Sequence, residues 1–147
     1  MEQASLFQLF EAAPGFVANL AGVMPAIRAG MNRTASRYTP GRKMLVDAIN
    51  DVARREGIAL TSGGGKKISP EILDKWLQPQ ERGHAPCLEG ILCFCLASGD
   101  YSPLEPIWKP FGLVLIPADE LRFLNVGKAQ VRLEEARAEL KKAKARL

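Results

Sequence analysis

Along most of the chain, apolar residues recur three and four positions apart, the period of a helix that hides one face. Two adjacent stretches between Thr39 and Leu77 show it best. In the first, Met44, Leu45, Ala48, Ile49 and Val52 make one apolar stripe. Thr39 is suited to cap it, Pro40 to open it, and Gly57 to stop it in the left-handed conformation. In the second, Ser69-Pro70-Glu71 offers a cap, a first residue and a first-turn acid. Ile72, Leu73, Trp76 and Leu77 then form the buried side, with Asp74, Lys75 and Gln78 away from it.

The same pattern runs through the rest of the chain. Residues 3–12 predict a short amphipathic helix with Leu6, Phe7, Leu9 and Phe10 clustered, broken at Pro14-Gly15. From Pro25 another helix is expected, packing Ile27, Met31, Thr34, Ala35 and Tyr38 and exposing Arg28, Arg33 and Arg37. Gly30 would let a neighbour approach closely. The segment after Pro86 is apolar nearly all round (Leu88, Ile91, Leu92, Phe94, Cys95, Leu96), which predicts a helix in the middle of a bundle. Ser102-Pro103 caps a shorter one with Leu104, Ile107 and Trp108. Leu113–Ile116 is a short extended run, either a strand paired with residues 58–61 or a packed connector. Pro117-Ala118-Asp119-Glu120 opens a last helix running toward the end of the chain. In it Val126, Ala129, Leu133, Ala136, Leu140, Ala143 and Leu147 alternate by three and four, a heptad seam. Such a seam predicts a homodimer or higher coiled coil, or a helix folded back on its own domain.

The expected fold is all-α: an N-terminal helical extension (residues 1–23), a bundle of about five helices (24–112), and a connector with a C-terminal oligomerisation helix (113–147).

Composition narrows the class. The 147 residues are 47% hydrophobic, which excludes a disordered chain. No apolar run approaches the roughly 20 residues that cross a bilayer. The start of the chain carries Glu2 and Glu11 and no basic leader, so a cytoplasmic protein is expected. The net charge is only +4, but it is unevenly placed: residues 1–27 hold no Lys or Arg, and residues 28–82 hold eleven against six acids. Arg42, Lys43, Arg54, Arg55, Lys66 and Lys67 follow the first helix and the glycine-rich turn after it. Two helices joined by a basic turn point to nucleic acid, through cations placed for phosphates. The competing reading is an ordinary helical hairpin with a solvated basic loop.

Little in the chain points to catalysis. Gly65-Lys66 is followed by Lys67 and no buried strand precedes it, so the GGGKK stretch is not a phosphate-binding P-loop. It reads as a flexible basic loop. His84 is the single histidine and sits in a loop, as a cap or surface residue. Cys87, Cys93 and Cys95 follow it, but Cys93 and Cys95 diverge by about 200° on a helix. Buried reduced thiols are expected there, and neither metal nor cofactor. Asp47 and Asp51 share a helix face as a solvated pair.

Residues from about 24 to 112 resemble phage regulatory proteins of the CII type, and small regulators encoded early in Mu-like prophages. The resemblance rests on RKMLVDAINDVARREG, the LT…KKIS that follows, the LDKWL helix, and HAPCLEGILCFCLASGDYSPLEPI. It implies a repressor-like helix-turn-helix domain that controls phage transcription by binding double-stranded operator DNA. The helix from Pro40 would position the domain, and Ser69–Gln78 would be the recognition helix. Arg42, Lys43, Lys66 and Lys67 would hold phosphates. Ser69, Lys75 and Gln78 would complete the contacts, with Lys75 and Gln78 approaching bases. The turn is much longer than in the best-known helix-turn-helix proteins, and the exposed side of Ser69–Gln78 also bears Glu71 and Asp74. The alternative is a non-enzymatic protein-interaction module of a phage, with an incidental basic loop.

Overall fold

The structure is a computed structural model and describes residues 20–147. These residues form six α-helices and no strand: α1 (Val23–Arg37), α2 (Arg42–Glu56), α3 (Pro70–Trp76), α4 (Leu88–Ser98), α5 (Glu105–Trp108) and α6 (Leu121–Ala145). Short 3-10 turns at Leu20–Gly22, Ser102–Leu104 and Lys109–Phe111 flank α1 and α5. The chain divides after Val114 into two compact units, α1–α5 in the first and α6 in the second. The all-α class read from the sequence is what the structure has. The helix expected over residues 3–12 lies outside the described residues.

The first unit is built around α2 and α4. Leu45, Val46, Ile49, Val52 and Ala53 of α2 meet Ile91, Cys93, Phe94 and Cys95 of α4, with Ile27 and Met31 of α1 and Leu73 and Trp76 of α3 closing the core. Two glycines permit this closeness. A Cβ on Gly90 would lie 2.8 Å from the Trp76 ring, and one on Gly30 would lie 3.2 Å from Pro103 Cα. The close approach expected at Gly30 is therefore present, with Pro103 as the neighbour.

Several boundaries differ from the sequence reading. Helix α1 starts at Val23, with Pro25 inside its first turn, where its missing N–H is not needed. Helix α2 starts at Arg42 rather than Pro40. Thr39 and Pro40 form a turn closed by Gly41 N–H donating to Tyr38 O (3.1 Å), and Gly41 caps the helix at φ +95°. The buried stripe is also turned from the expected one by the packing of α4: Val46 and Ala53 are buried, and Met44 is exposed. At the other end Gly57 adopts the expected left-handed conformation (φ +67°). Ile58 N–H reaches Ala53 O (2.9 Å) and Gly57 N–H reaches Arg54 O (3.4 Å), a Schellman closure.

Helix α4 is not buried all round. Leu88, Leu92 and Leu96, four residues apart, are 58%, 41% and 57% exposed. Its neighbours cover Gly90, Ile91, Cys93, Phe94 and Cys95 and leave this row exposed. Residues 113–116 form an exposed connector and do not pair with residues 58–61. That second run is held inside its own loop instead, with Leu60 and Thr61 N–H both donating to Gly65 O. Helix α6 begins at Leu121, after turns over residues 118–120, and no residue of it is buried.

Arg28 is the sharpest departure. Expected on an exposed face, it is 3% exposed and lies between α1 and the end of α3. Its guanidinium donates to Trp76 O (2.8 Å), Lys75 O (2.5 Å) and Glu81 O, and pairs with the Glu81 carboxylate at 3.4 Å. It thereby supplies donors to the open carbonyls of the last turn of α3, where a cation also suits the helix dipole.

Candidate nucleic-acid interface

Helix α2 carries the expected cations at its two ends, about 18 Å apart by the rise of a helix. Arg42 and Lys43 stand exposed in the first turn, Arg54 and Arg55 in the last. Lys66 and Lys67 lie exposed beside Arg54, on the rim of a cleft of about 310 Å³ that also includes Gly57, Ile58 and Ala59. The four residues expected to hold phosphates thus form two pairs rather than one patch.

The loop bearing Lys66 and Lys67 is fastened, not flexible in its bonding. Asn50 of α2 uses both ends of its amide on it. Its Nδ2 donates to Ile68 O (2.9 Å) and its Oδ1 accepts from Ile68 N–H (2.8 Å). Thr61 Oγ1 accepts from Gly65 N–H (2.9 Å), and Leu60 and Ile68 are buried anchors. Asn50 was not singled out from sequence. Its only signal there is a polar residue one step from the buried Ile49, a position a single sequence does not mark.

Helix α3 is shorter than expected, Pro70–Trp76 in place of Ser69–Gln78. Pro79 disfavours helical backbone at Gln78, and Arg28 takes the carbonyls that a longer helix would use. Ser69 is the N-cap, with Oγ accepting from Ile72 N–H (3.3 Å), so its hydroxyl is engaged within the helix. Glu71, in the first turn, is held below the usual carboxylate range by its own backbone N–H and by Ser69. Lys75 is half-buried in the last turn, and Gln78 is exposed just beyond it.

Arg42 reaches across to Asp74 of α3 at 2.5 Å, with both side chains nearly half exposed. This pair offsets the charge of Asp74, and it also occupies Arg42. With Asn32, Leu77, Gln78, Pro79 and Gln80 it lines a cleft. Lys43, Lys66 and Lys67 form no ion pair with any described residue, and Arg54 pairs with Asp51 at 2.5 Å. The short glycine-bearing turn that typifies helix-turn-helix units joins α1 to α2 through residues 38–41. The α2–α3 connection spans residues 57–69.

The cysteine segment does not form a ligand set. Cys87 caps α4, its Sγ accepting from Gly90 N–H at 3.3 Å. Cys93 and Cys95 are both buried, although they diverge on the helix, because core covers both directions. Burial pushes both thiols up, Cys95 to about 11, so they are protonated and inert near neutral pH. No group of three His, Cys, Asp or Glu able to hold a metal occurs among the described residues. His84 is a surface residue held by Glu81, Nδ1 to Oε1 at 3.0 Å. No described helix is long and apolar enough to cross a membrane.

No family model, curated protein or solved structure matches the chain.

Proposed function

We propose that the chain is a non-enzymatic DNA-binding transcriptional regulator of the phage or prophage type, which binds operator DNA in the bacterial cytoplasm as an oligomer. The observation that carries this reading is the placement of exposed Lys43 and the Lys66–Lys67 pair, in no ion pair with a described residue, at opposite ends of α2. The two ends of α2 are about 18 Å apart by the rise of a helix, with Lys66 and Lys67 beside its last turn, a span that suits one element touching phosphates on either side of a groove. Arg42, Lys43, Lys66 and Lys67 hold the backbone, while Lys75 and Gln78, at the end of α3, approach bases. Asp74 opposes binding and is offset by Arg42.

Binding of fluorescent duplex DNA from the gene's own neighbourhood, compared with unrelated DNA across a salt series, tests this. Affinity should fall steeply with salt, and Lys66→Ala/Lys67→Ala should lower the log–log salt slope by about two. Asp74→Ala should tighten binding. A folded protein that does not bind at low salt would end this reading.

A second reading, a protein-interaction module, is favoured by the uncovered row Leu88, Leu92 and Leu96 on α4. It predicts that neutralising the two lysines leaves partner binding unchanged, while Leu92→Glu abolishes it.

A further inference from the structure

The seam on α6 contains information about direction as well as association. Counted from Val126, the a positions are Val126, Leu133, Leu140 and Leu147, and the d positions are Ala129, Ala136 and Ala143. Every a residue is large and every d residue is small. Val126 to Ala143 lie exposed along one continuous helix, with Leu133 and Leu140 at 50% and 55%, and Leu147 follows just beyond its end.

In a parallel pair, a faces a and d faces d. Layers of two leucines, which hold helix axes toward the wide end of the roughly 8–10 Å range, would alternate with layers of two alanines, which need the narrow end. No single separation fits both, so either voids or clashes follow. In an antiparallel pair, a faces d. Each layer then holds one large and one small side chain, and one separation serves throughout.

We propose that α6 pairs with α6 of a second copy of this chain, antiparallel, in the register that sets Leu133 against Ala136 of the partner. The same register sets Val126 against Ala143 and Ala129 against Leu140, with the reciprocal contacts, as two-fold symmetry requires. This rests on the reading that the protein works as an oligomer.

The flanking charges select the same arrangement independently. The g positions include Arg132 and Glu139; the e positions include Gln130, Arg137 and Lys144. Antiparallel, g faces g, so Arg132 of each copy meets Glu139 of the other, twice, and Gln130 meets Arg137 without repulsion. Parallel, g faces the following e. Arg132 would then meet Arg137 and Glu139 would meet Lys144, one repulsion for each attraction. The antiparallel rod also sets the two Leu121 ends about 40 Å apart rather than side by side.

One charge reversal separates the two directions, because it acts with opposite sign in each. Sedimentation equilibrium of the full chain should show a dimer. Arg132→Glu should weaken that dimer about ten-fold at low salt, since two attractions become two repulsions. Arg132→Glu/Glu139→Arg should restore it. A dimer tightened or unchanged by Arg132→Glu, or a trimer, would overturn the antiparallel arrangement while leaving association standing. A wild-type protein that stays monomeric at high micromolar concentration would overturn association itself.

Discussion

Asp100 shows how much a single residue can hold. Its Oδ2 accepts from Thr34 Oγ1 of α1 at 2.6 Å and its Oδ1 from Ser102 N–H at 2.9 Å, so it joins α1 to the turn that leads into α5. The Thr34 hydrogen bond, above all, keeps its carboxyl below the usual range, against the opposing effect of burial. Glu81 behaves alike: His84 and nearby backbone N–H groups hold it at about 2. For both groups the folded protein binds protons more weakly than the unfolded chain. Their contribution is therefore complete above the unfolded values near 4 and is lost as pH falls below them, for Glu81 toward about 2. Thermal midpoints measured from pH 6 to pH 2 should fall across that window. Asp100→Asn should lower the midpoint at neutral pH and flatten the acid-side decline. An unchanged pH profile would show that Asp100 is not held as described. Neither Asp100 nor the buried Arg28 is legible from local pattern, because both draw their partners from helices far along the chain.

Among the elements, α3 and α4 meet at one close approach, Trp76 against Gly90. Glycine inside a helix ordinarily costs about 1 kcal/mol relative to alanine, so a reading of α4 by propensity favours replacing Gly90. The packing reverses the sign. The Trp76 ring occupies the space a methyl group would need, and Trp76 is itself 2% exposed and held through its carbonyl by Arg28. Gly90→Ala should destabilise the protein by about 1–3 kcal/mol net, by overpacking, as read from urea denaturation. A stabilised variant would mean the α3–α4 contact is looser than this. The α2 boundaries make the related point that Gly57 stops the helix where its chemistry says, whereas Pro40, suited to open it, lies in a turn. Gly41, at positive φ, supplies the cap two residues later. Position-specific backbone needs outweighed a favourable local signal.

For the whole molecule, the division after Val114 separates a unit with a core from a helix with none. A protein ending at Val114 should keep the thermal unfolding of the first unit, since Phe94, Leu45, Ile49 and Leu73 all lie within it. On the proposed function it should also sediment as a monomer and bind DNA at least ten-fold more weakly, because one site replaces two linked ones. Retention of full affinity by this fragment would show that α6 does not serve DNA binding.

The amino-acid pattern was enough to give the all-helical class, the approximate positions of α2, α3 and α6, the caps at Ser69 and Gly57, and the heptad with its alternation of large and small residues. These follow from periodicity and from residues whose local conformational preferences are strong. Packing against distant segments set the exceptions: Arg28 lies inside, Met44 and the Leu88–Leu92–Leu96 row lie outside, and Asn50 fastens the basic loop. It also decided that the expected phosphate contacts divide between the two ends of α2, and that Arg42 is shared with Asp74. Those outcomes depend on what lies across the gap from each side chain. Spacing along a chain specifies a face, but only packing against distant segments specifies what covers it.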